Sequence, residues 1–246
     1  MTLQVDYGEG RRLGLILPSG NTAAEPQFAA ARPAGLALHW TRLPLNGSSD
    51  ADLAAMAAGV EDGARLLRDA RVDLVAFHCT AISTASGDAQ VDVLRRIEAV
   101  ARVPAIATSQ ALVAALHALG ARRLVMLSPY VESIARREDR FFEHLGFEVL
   151  ASRGLDIATP HEMLAVTPQR WEQLLLEMRH PEADAYVLSC TAIRGWEAVS
   201  AAERLLDRPV VTSNSAMLWY AARRLSVDVP LPACGRLGAR PLPQQG

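Results

Sequence analysis

The chain has 246 residues, half of them hydrophobic, and carries 25 Lys and Arg against 27 Asp and Glu for a formal net charge of -2. That is apolar chain enough for one large core or two small ones, which excludes a disordered polymer. The balanced charge, with no long run of one sign, excludes nucleic acid as the expected partner.

No apolar stretch approaches the ~20 residues of a membrane-spanning helix, so no membrane partner is expected. The opening MTLQVDYGEGRRLGLIL has neither the long apolar centre nor the small-residue cleavage site of a signal peptide. Three cysteines at wide spacing form neither a disulfide framework nor a CxxC metal site. A reducing, cytoplasmic setting is the expectation.

In chain order, short runs rich in Val, Ile and Leu predict strands at 13–18 (LGLILP), 36–43 (LALHWTRL), 73–79 (DLVAFHC) and 104–109 (PAIATS). Four more follow at 123–129, 147–153, 185–190 and 209–213. Segments of helical period separate them, such as ADLAAMAAGVEDGARLLRDA, in which Leu53, Met56, Val60, Leu66 and Leu67 approximate one stripe. Strands alternating with helices predict an α/β fold with parallel sheets.

The chain repeats itself. CTAI occurs at 79–82 and again at 190–193, an interval of 111 residues, and the first strands of the two halves end in Pro18 and Pro129 at the same interval. PAIATSQ and PVVTSNS match at Thr108 and Thr212, 104 residues apart, which implies a net deletion of seven after the second cysteine. Two homologous α/β halves of four strands each are expected. The first spans 1–109, with 215–246 packing on it, and the second spans 110–214.

Each CTA follows an apolar strand and precedes a turn and then a helix, so both thiols are placed at the carboxyl edge of a parallel sheet, where ligands bind. With the halves related by a pseudo-twofold axis, the thiols flank one cleft between them. A helix N-terminus favours the thiolate and lowers a thiol pKa from ~8.5 towards neutrality. A lone free cysteine is most often a small buried hydrophobe, and Cys234 in the Pro- and Gly-containing tail keeps that reading. The matched pair Cys79 and Cys190 is expected to be functional.

LILPSGNTAAE at 15–25, the two CTA segments, SPY at 128–130 and PVVTSN at 209–214 together resemble the aspartate/glutamate racemase superfamily. Within it the chain is similar to the maleate cis-trans isomerases and arylmalonate decarboxylases over residues 12–225. The resemblance implies two pseudo-symmetric α/β halves, neither metal nor organic cofactor, and one cysteine from each half on opposite faces of a small carboxylate. It further implies that Asn21 in PSGNT and Tyr130 bind a substrate carboxylate. Pro18 lies beside them, and the amides of Thr80, Ala81, Thr191 and Ala192 complete two anion nests. The implied chemistry is isomerisation of maleate to fumarate, in which the Cys79 thiolate adds to the alkene and Cys190 supplies and recovers a proton.

The resemblance departs at one place: where maleate isomerases carry a further substrate-binding asparagine, the chain reads GLDIATPHEMLAVTP, with Thr159 and Pro160. Arylmalonate decarboxylases keep only the second-half cysteine, as a proton donor, and place glycine where Cys79 stands. They share the carboxylate-binding positions of Thr80 and Tyr130, so decarboxylation through Cys190 is one alternative. Amino-acid or hydantoin racemisation between two thiols is another. A thiol redox-sensing binding protein, in which Cys79 and Cys190 form a disulfide, is the non-enzymatic one.

The remaining polar residues carry plainer readings. His78 is expected to pack under a helix, since successive strand side chains face opposite ways, and the other histidines have no metal-ligand spacing. Glu25 and Glu132 read as acids in the first turn of helices. Ser19 and Gly20 read as the turn that brings backbone to substrate, and Ser213 and Asn214 as supports near the cleft. The apolar helix face LVAALHAL offers a surface for a homodimer.

Overall fold

The computed structural model describes residues 10–45, 47 and 49–243. Residues 1–9 of the expected first half and 244–246 of the C-terminal segment lie outside the described residues. Arg11–Pro18 (β1), Leu36–Leu43 (β2), Leu74–Phe77 (β3) and Ala105–Ala107 (β4) form one sheet in the order β2-β1-β3-β4. Arg123–Ser128 (β5), Glu148–Gly154 (β6), Ala185–Leu188 (β7) and Val210–Thr212 (β8) form the second, β6-β5-β7-β8. Every pairing is parallel. The central strands are apolar on both faces, with Leu13, Leu15, Ile16 and Leu17 of β1 fully buried, as strands covered by helices on both sides must be.

The internal repeat extends to individual hydrogen bonds. Asp73 N donates to Arg12 O and Asp184 N to Arg123 O, both at 2.8 Å, while His78 N donates to Ile16 O and Ser189 N to Leu127 O, both at 2.9 Å. Each pair keeps the 111-residue interval. Two sheets of one topology, differing by a register shift in β5–β6 between Leu124 and Val125, are the two pseudo-symmetric halves expected.

The covering helices are Ala24–Ala31 (α1), Asp50–Ala58 (α2), Val60–Asp69 (α3), Thr80–Ser83 (α4), Gly87–Ala101 (α5) and Thr108–Leu119 (α6) in the first half. Glu132–His144 (α7), Pro160–Ala165 (α8), Pro168–Glu177 (α9), Val199–Leu206 (α10) and Ser213–Arg224 (α11) follow. The single helix expected across 51–70 is two, because Gly59 leaves helical geometry at φ -93°, ψ 6° and serves as the end of α2 and the cap of α3. The break turns Leu66 outward to 62% exposure, whereas Leu53, Met56, Val60 and Leu67 stay buried. Gly63 faces the sheet instead, at Ile16 and Thr41.

Strands end earlier than expected: β3 stops at Phe77 and β7 at Leu188, so each cysteine lies two residues past its strand. β4 and β8 stop where α6 and α11 begin, at Thr108 and Ser213. These two helices pack on each other and join the halves. Leu112, Ala115 and Leu116 of LVAALHAL are consequently buried inside the chain, and this corrects the expectation that they face a second copy. Of the C-terminal segment, α11 touches α1 and β3, while a 3-10 turn at Pro232–Leu237 touches α6, β8, α10 and α11. Among the described residues no helix is long and apolar enough to cross a membrane.

Candidate active site

The carboxyl ends of β1, β3, β5 and β7 converge on one small pocket of about 50 Å³, room for roughly three or four water molecules. Pro18, Asn21, Cys79, Thr80, Ala81, Tyr130, Cys190, Thr191 and Ala192 all line it. Every residue singled out from the sequence for catalysis or substrate binding is therefore in one place.

β1 ends at Pro18, and the turn that follows is tightly held. Ser19 N and Gly20 N donate to Leu43 O and Leu45 O, and Asn21 N to Pro18 O. Arg42 donates to the carbonyls of Ser19 and Asn21 and pairs with Glu25 at 2.9 Å, so Glu25 braces the turn. The Asn21 carboxamide is fully buried; its oxygen accepts from Ala23 N and Ala24 N at the start of α1, while Nδ2 donates to Thr191 Oγ1 at 3.0 Å. The second Nδ2 hydrogen remains for a ligand.

The identical CTAI segments adopt different backbones. Cys79 is extended (φ -143°, ψ 107°) and caps the one-turn helix α4. Cys190 has φ +114°, which non-glycine residues rarely adopt, and no α-helix starts after it; a turn leads through Gly195 to a 3-10 turn at Trp196–Ala198 and then α10. The turn and then helix expected after each motif is present in both halves, the first turn being wound as α4 ahead of α5. The amides reaching the sulfurs differ too. Ile82 and Ala81 approach Cys79, and Ala192 N donates to Cys190 Sγ at 3.3 Å. The hydroxyls of Thr80 and Thr191 are engaged, Thr80 donating to Ser213 Oγ at 2.9 Å and Thr191 accepting from Asn21.

Both thiols are free and buried. Burial pushes Cys79 up to about 12, the facing Cys190 adding to it, against the pull of the Ile82 and Ala81 amides and of Arg137. Burial likewise raises Cys190 to about 11, opposed by the Ala192 amide and a hydrogen bond from Tyr130, while nearby Glu138 adds to the rise. The expectation of a pKa lowered by a helix N-terminus is overturned: one turn of helix at Cys79 and none at Cys190 are outweighed by desolvation. Tyr130 is held well above its ordinary value, first by burial and then by Cys190 and Glu138, so it is a hydrogen-bond donor here.

The sequence reading missed several groups. Leu45, Leu53, Ala158, Pro160 and Met163 form the apolar wall of the cavity, with Met163 Sδ 3.9 Å from Cys190 Sγ. Thr159 caps α8 through Glu162 N, with Pro160 at its first position. That Thr-Pro-x-Glu signature is legible in sequence as a helix start and places Met163 on the helix over the cavity. Glu138 of α7 is 2% exposed, bonded to Ser189 and raised to about 8 by burial. Arg137 beside it donates to Ala81 O at 3.1 Å.

His78 is fully buried and packs edge-on to Phe28, as expected of a packing residue. It also bonds: Nδ1 lies 3.1 Å from Thr108 Oγ1 and Nε2 2.8 Å from Asn214 Oδ1. Burial lowers its pKa to about 4, so the ring is neutral. Cys234 is buried with Sγ 3.5 Å from Ser215 O, away from the cavity. Glu132 is exposed and pairs with Arg136. Among the described residues no cluster of three or more His, Cys, Asp or Glu could hold a metal ion.

The chain matches the family model described as arylmalonate decarboxylase over residues 13–238. It is 30% identical over 241 residues to a maleate isomerase of Nocardia farcinica, covering 92% of this chain and 95% of that protein. Among solved structures it is similar to a cysteine-to-alanine variant of the maleate isomerase Iso of Pseudomonas putida S16 with maleate. That likeness has TM-score 0.89 and 25% identity, covering 94% of this chain and 99% of the other. It is similar also to a cysteine-to-serine variant of the Nocardia farcinica maleate cis-trans isomerase with a covalently bound succinylcysteine intermediate. There the TM-score is 0.85 at 25% identity, with 92% and 97% covered.

Proposed function

The chain belongs to the arylmalonate decarboxylase family, and from that premise we propose that it is a cysteine-based isomerase converting maleate to fumarate without a cofactor. The observation that carries the reading is the pair of thiols, Cys79 and Cys190, one from each half, lining one cavity with Asn21 and Tyr130. A decarboxylase acting by protonation alone needs one thiol. Addition to an alkene followed by proton return uses two.

The Cys79 sulfur, as thiolate, forms a bond to one alkene carbon of maleate, and the other alkene carbon takes the proton of the Cys190 thiol. The result is a succinyl-Cys79 adduct and a Cys190 thiolate. The former double bond is now single and rotates. Cys190 takes a proton back from the same carbon, the carbon–sulfur bond breaks, and fumarate leaves. The Ile82 and Ala81 amides favour negative sulfur at Cys79, and the Tyr130 hydroxyl does so at Cys190. Asn21 Nδ2 and the amides of Thr80 and Thr191 are the donors proposed for the carboxylates, where charge accumulates in the transition state, and Tyr130, Ala81 and Ala192, each with one hydrogen, join them by exchanging sulfur for carboxylate oxygen.

We further propose that the two units divide between residues 109 and 110, with 215–246 belonging to the first through α11. Proton NMR of maleate with the purified protein tests the function: fumarate is expected from the wild type, and none from Cys79→Ala. Cys190→Ser is expected to accumulate protein heavier by one maleic acid at Cys79, and wild-type turnover by either variant would sink the reading. The apolar wall of Leu45, Leu53, Pro160 and Met163 favours a second reading, a disubstituted malonate bearing an apolar group, decarboxylated with Cys190 as proton donor. Loss of carbon dioxide from an arylmalonate, with maleate left unchanged, selects it.

A further inference from the structure

α11 begins with Ser213 and Asn214, and both are buried. The single Ser213 hydroxyl oxygen accepts from Cys190 N at 3.1 Å and from Thr80 Oγ1 at 2.9 Å. The Asn214 carboxamide donates to Thr191 O at 3.1 Å and accepts from His78 Nε2 at 2.8 Å. These two adjacent residues therefore grip the residues on either side of Cys79 and, across the cleft, Cys190 and the residue after it.

The equivalents in the first half do not reach across the cleft. They are Thr108 and Ser109, the first two residues of α6, as the strand register and helix starts pair them. Thr108 Oγ1 lies 3.1 Å from His78 Nδ1 and donates to Phe77 O at 3.3 Å, while Ser109 N donates to Ser83 Oγ and its hydroxyl bonds Gln90. All of those bonds stay within the first half. The cross-bracing is thus a property of one end of the pseudo-dyad, the end that carries the positive φ of Cys190. An amide in that conformation, buried and without an acceptor, is costly, and Ser213 supplies the acceptor.

We propose that Ser213 and Asn214 are positioning residues that hold the Cys190 turn in its left-handed conformation and couple it to the Cys79 turn, so that the two sulfurs act in register on one substrate. The turnover arm of the test rests on the isomerase reading; the labelling arm does not. Iodoacetamide labelling of each cysteine is followed by peptide mass spectrometry, with Cys234 as the buried internal reference. In Ser213→Ala, labelling of Cys190 relative to Cys234 is expected to rise at least about fivefold, the consequence of one lost hydrogen bond. On the substrate the wild type turns over, kcat is expected to fall at least about tenfold while KM stays within about threefold, since Asn21 and Tyr130 are untouched. Ser213→Thr keeps the oxygen and is expected to restore both.

An unchanged Cys190-to-Cys234 ratio in Ser213→Ala overturns the proposal. So does a rise of all cysteines together, which is general loosening. Should Ser213→Ala not fold, Thr80→Val serves: a rise of about twofold or more in Cys190 labelling, felt from the opposite turn, supports the coupling, and no rise refutes it. A wild type that turns over no carboxylate removes the isomerase reading alone, because the labelling ratios still decide the inference.

Discussion

Glu138 offers the sharpest quantitative check on the electrostatics behind Cys190. Its carboxyl is buried to 2% exposure and bonded to Ser189. Burial raises it from 4.5 to about 8, Asp139 adding to the rise while Ser189 and Arg137 oppose it. Between those two values the folded protein holds a proton that the unfolded chain has released. Stability therefore falls as pH rises from 4.5 to 8 and levels off above. A rise from 4.5 to about 8 corresponds to about 5 kcal/mol as an upper bound. Glu138→Gln keeps shape and an oxygen for Ser189 but has no proton to lose, so this pH-dependent cost disappears.

Urea unfolding of wild type and Glu138→Gln at pH 5, 7 and 9 measures it (pH values about those). The two curves are expected to lie close at the acid end, and the variant to become the more stable towards pH 9, by several kcal/mol and at most about 5. Titrating groups not coupled to Glu138 are common to both proteins and cancel in the difference. A stability difference that is flat across this range refutes the reasoning. Because ionised Glu138 raises Cys190, the variant should also label Cys190 faster at alkaline pH.

His78 works in the opposite direction. Held neutral at about 4, it leaves the unfolded chain to take up a proton first, so stability should fall as pH drops from 6.5 to 4, by about 3 kcal/mol at most; His78→Gln should flatten that limb in the same urea series. Iodoacetamide labelling of Cys79 and Cys190, with thiols at about 12 and about 11, is expected to keep climbing about tenfold per pH unit through pH 9, and a plateau near neutrality contradicts burial as the dominant cause. Met163→Ala removes the thioether 3.9 Å from Cys190 Sγ. It should destabilise by about 2–3 kcal/mol and extend turnover to 2-substituted substrates, with an unchanged substrate range counting against the apolar wall as a determinant.

The fold was legible wherever the sequence repeats at a fixed interval. The pairs Pro18 and Pro129, and Cys79 and Cys190, announce two sheets, and the polar side of the cavity lies at the ends of their strands, whereas its apolar wall from α2, α8 and loops does not follow from them. Three things were not legible. The break between α2 and α3 sits in the backbone angles of Gly59, φ -93° and ψ 6°, while the apolar stripe runs on across it, so helical periodicity does not register it. The raised thiols reflect burial by elements far away in sequence, Met163 of α8 among them. Glu138 looks like one more charge on the polar face of α7, and only the approach of Ser189 to that helix makes it a buried acid.

The identical CTAI segments show why local sequence stops short of mechanism. The same four residues form a helical turn after Cys79 and a left-handed kink at Cys190, so the difference is imposed from outside. Cys79 is met by the Ile82 and Ala81 amides and by Arg137, all of which favour negative sulfur. Cys190 is met by as many hydrogen-bond donors, the Ala192 amide and the Tyr130 hydroxyl, but by the Glu138 carboxyl where Cys79 has a guanidinium, and ionised Glu138 favours the thiol. At rest the values run the other way, about 12 for Cys79 and about 11 for Cys190, because burial dominates both. On the proposed reading the roles follow from surroundings that act once charge appears: two amides and the Arg137 guanidinium at Cys79 suit a nucleophile, and a carboxyl in place of a cation near Cys190 suits an acid. The braces at Ser213 and Asn214 then keep that asymmetry in place across an otherwise two-fold fold.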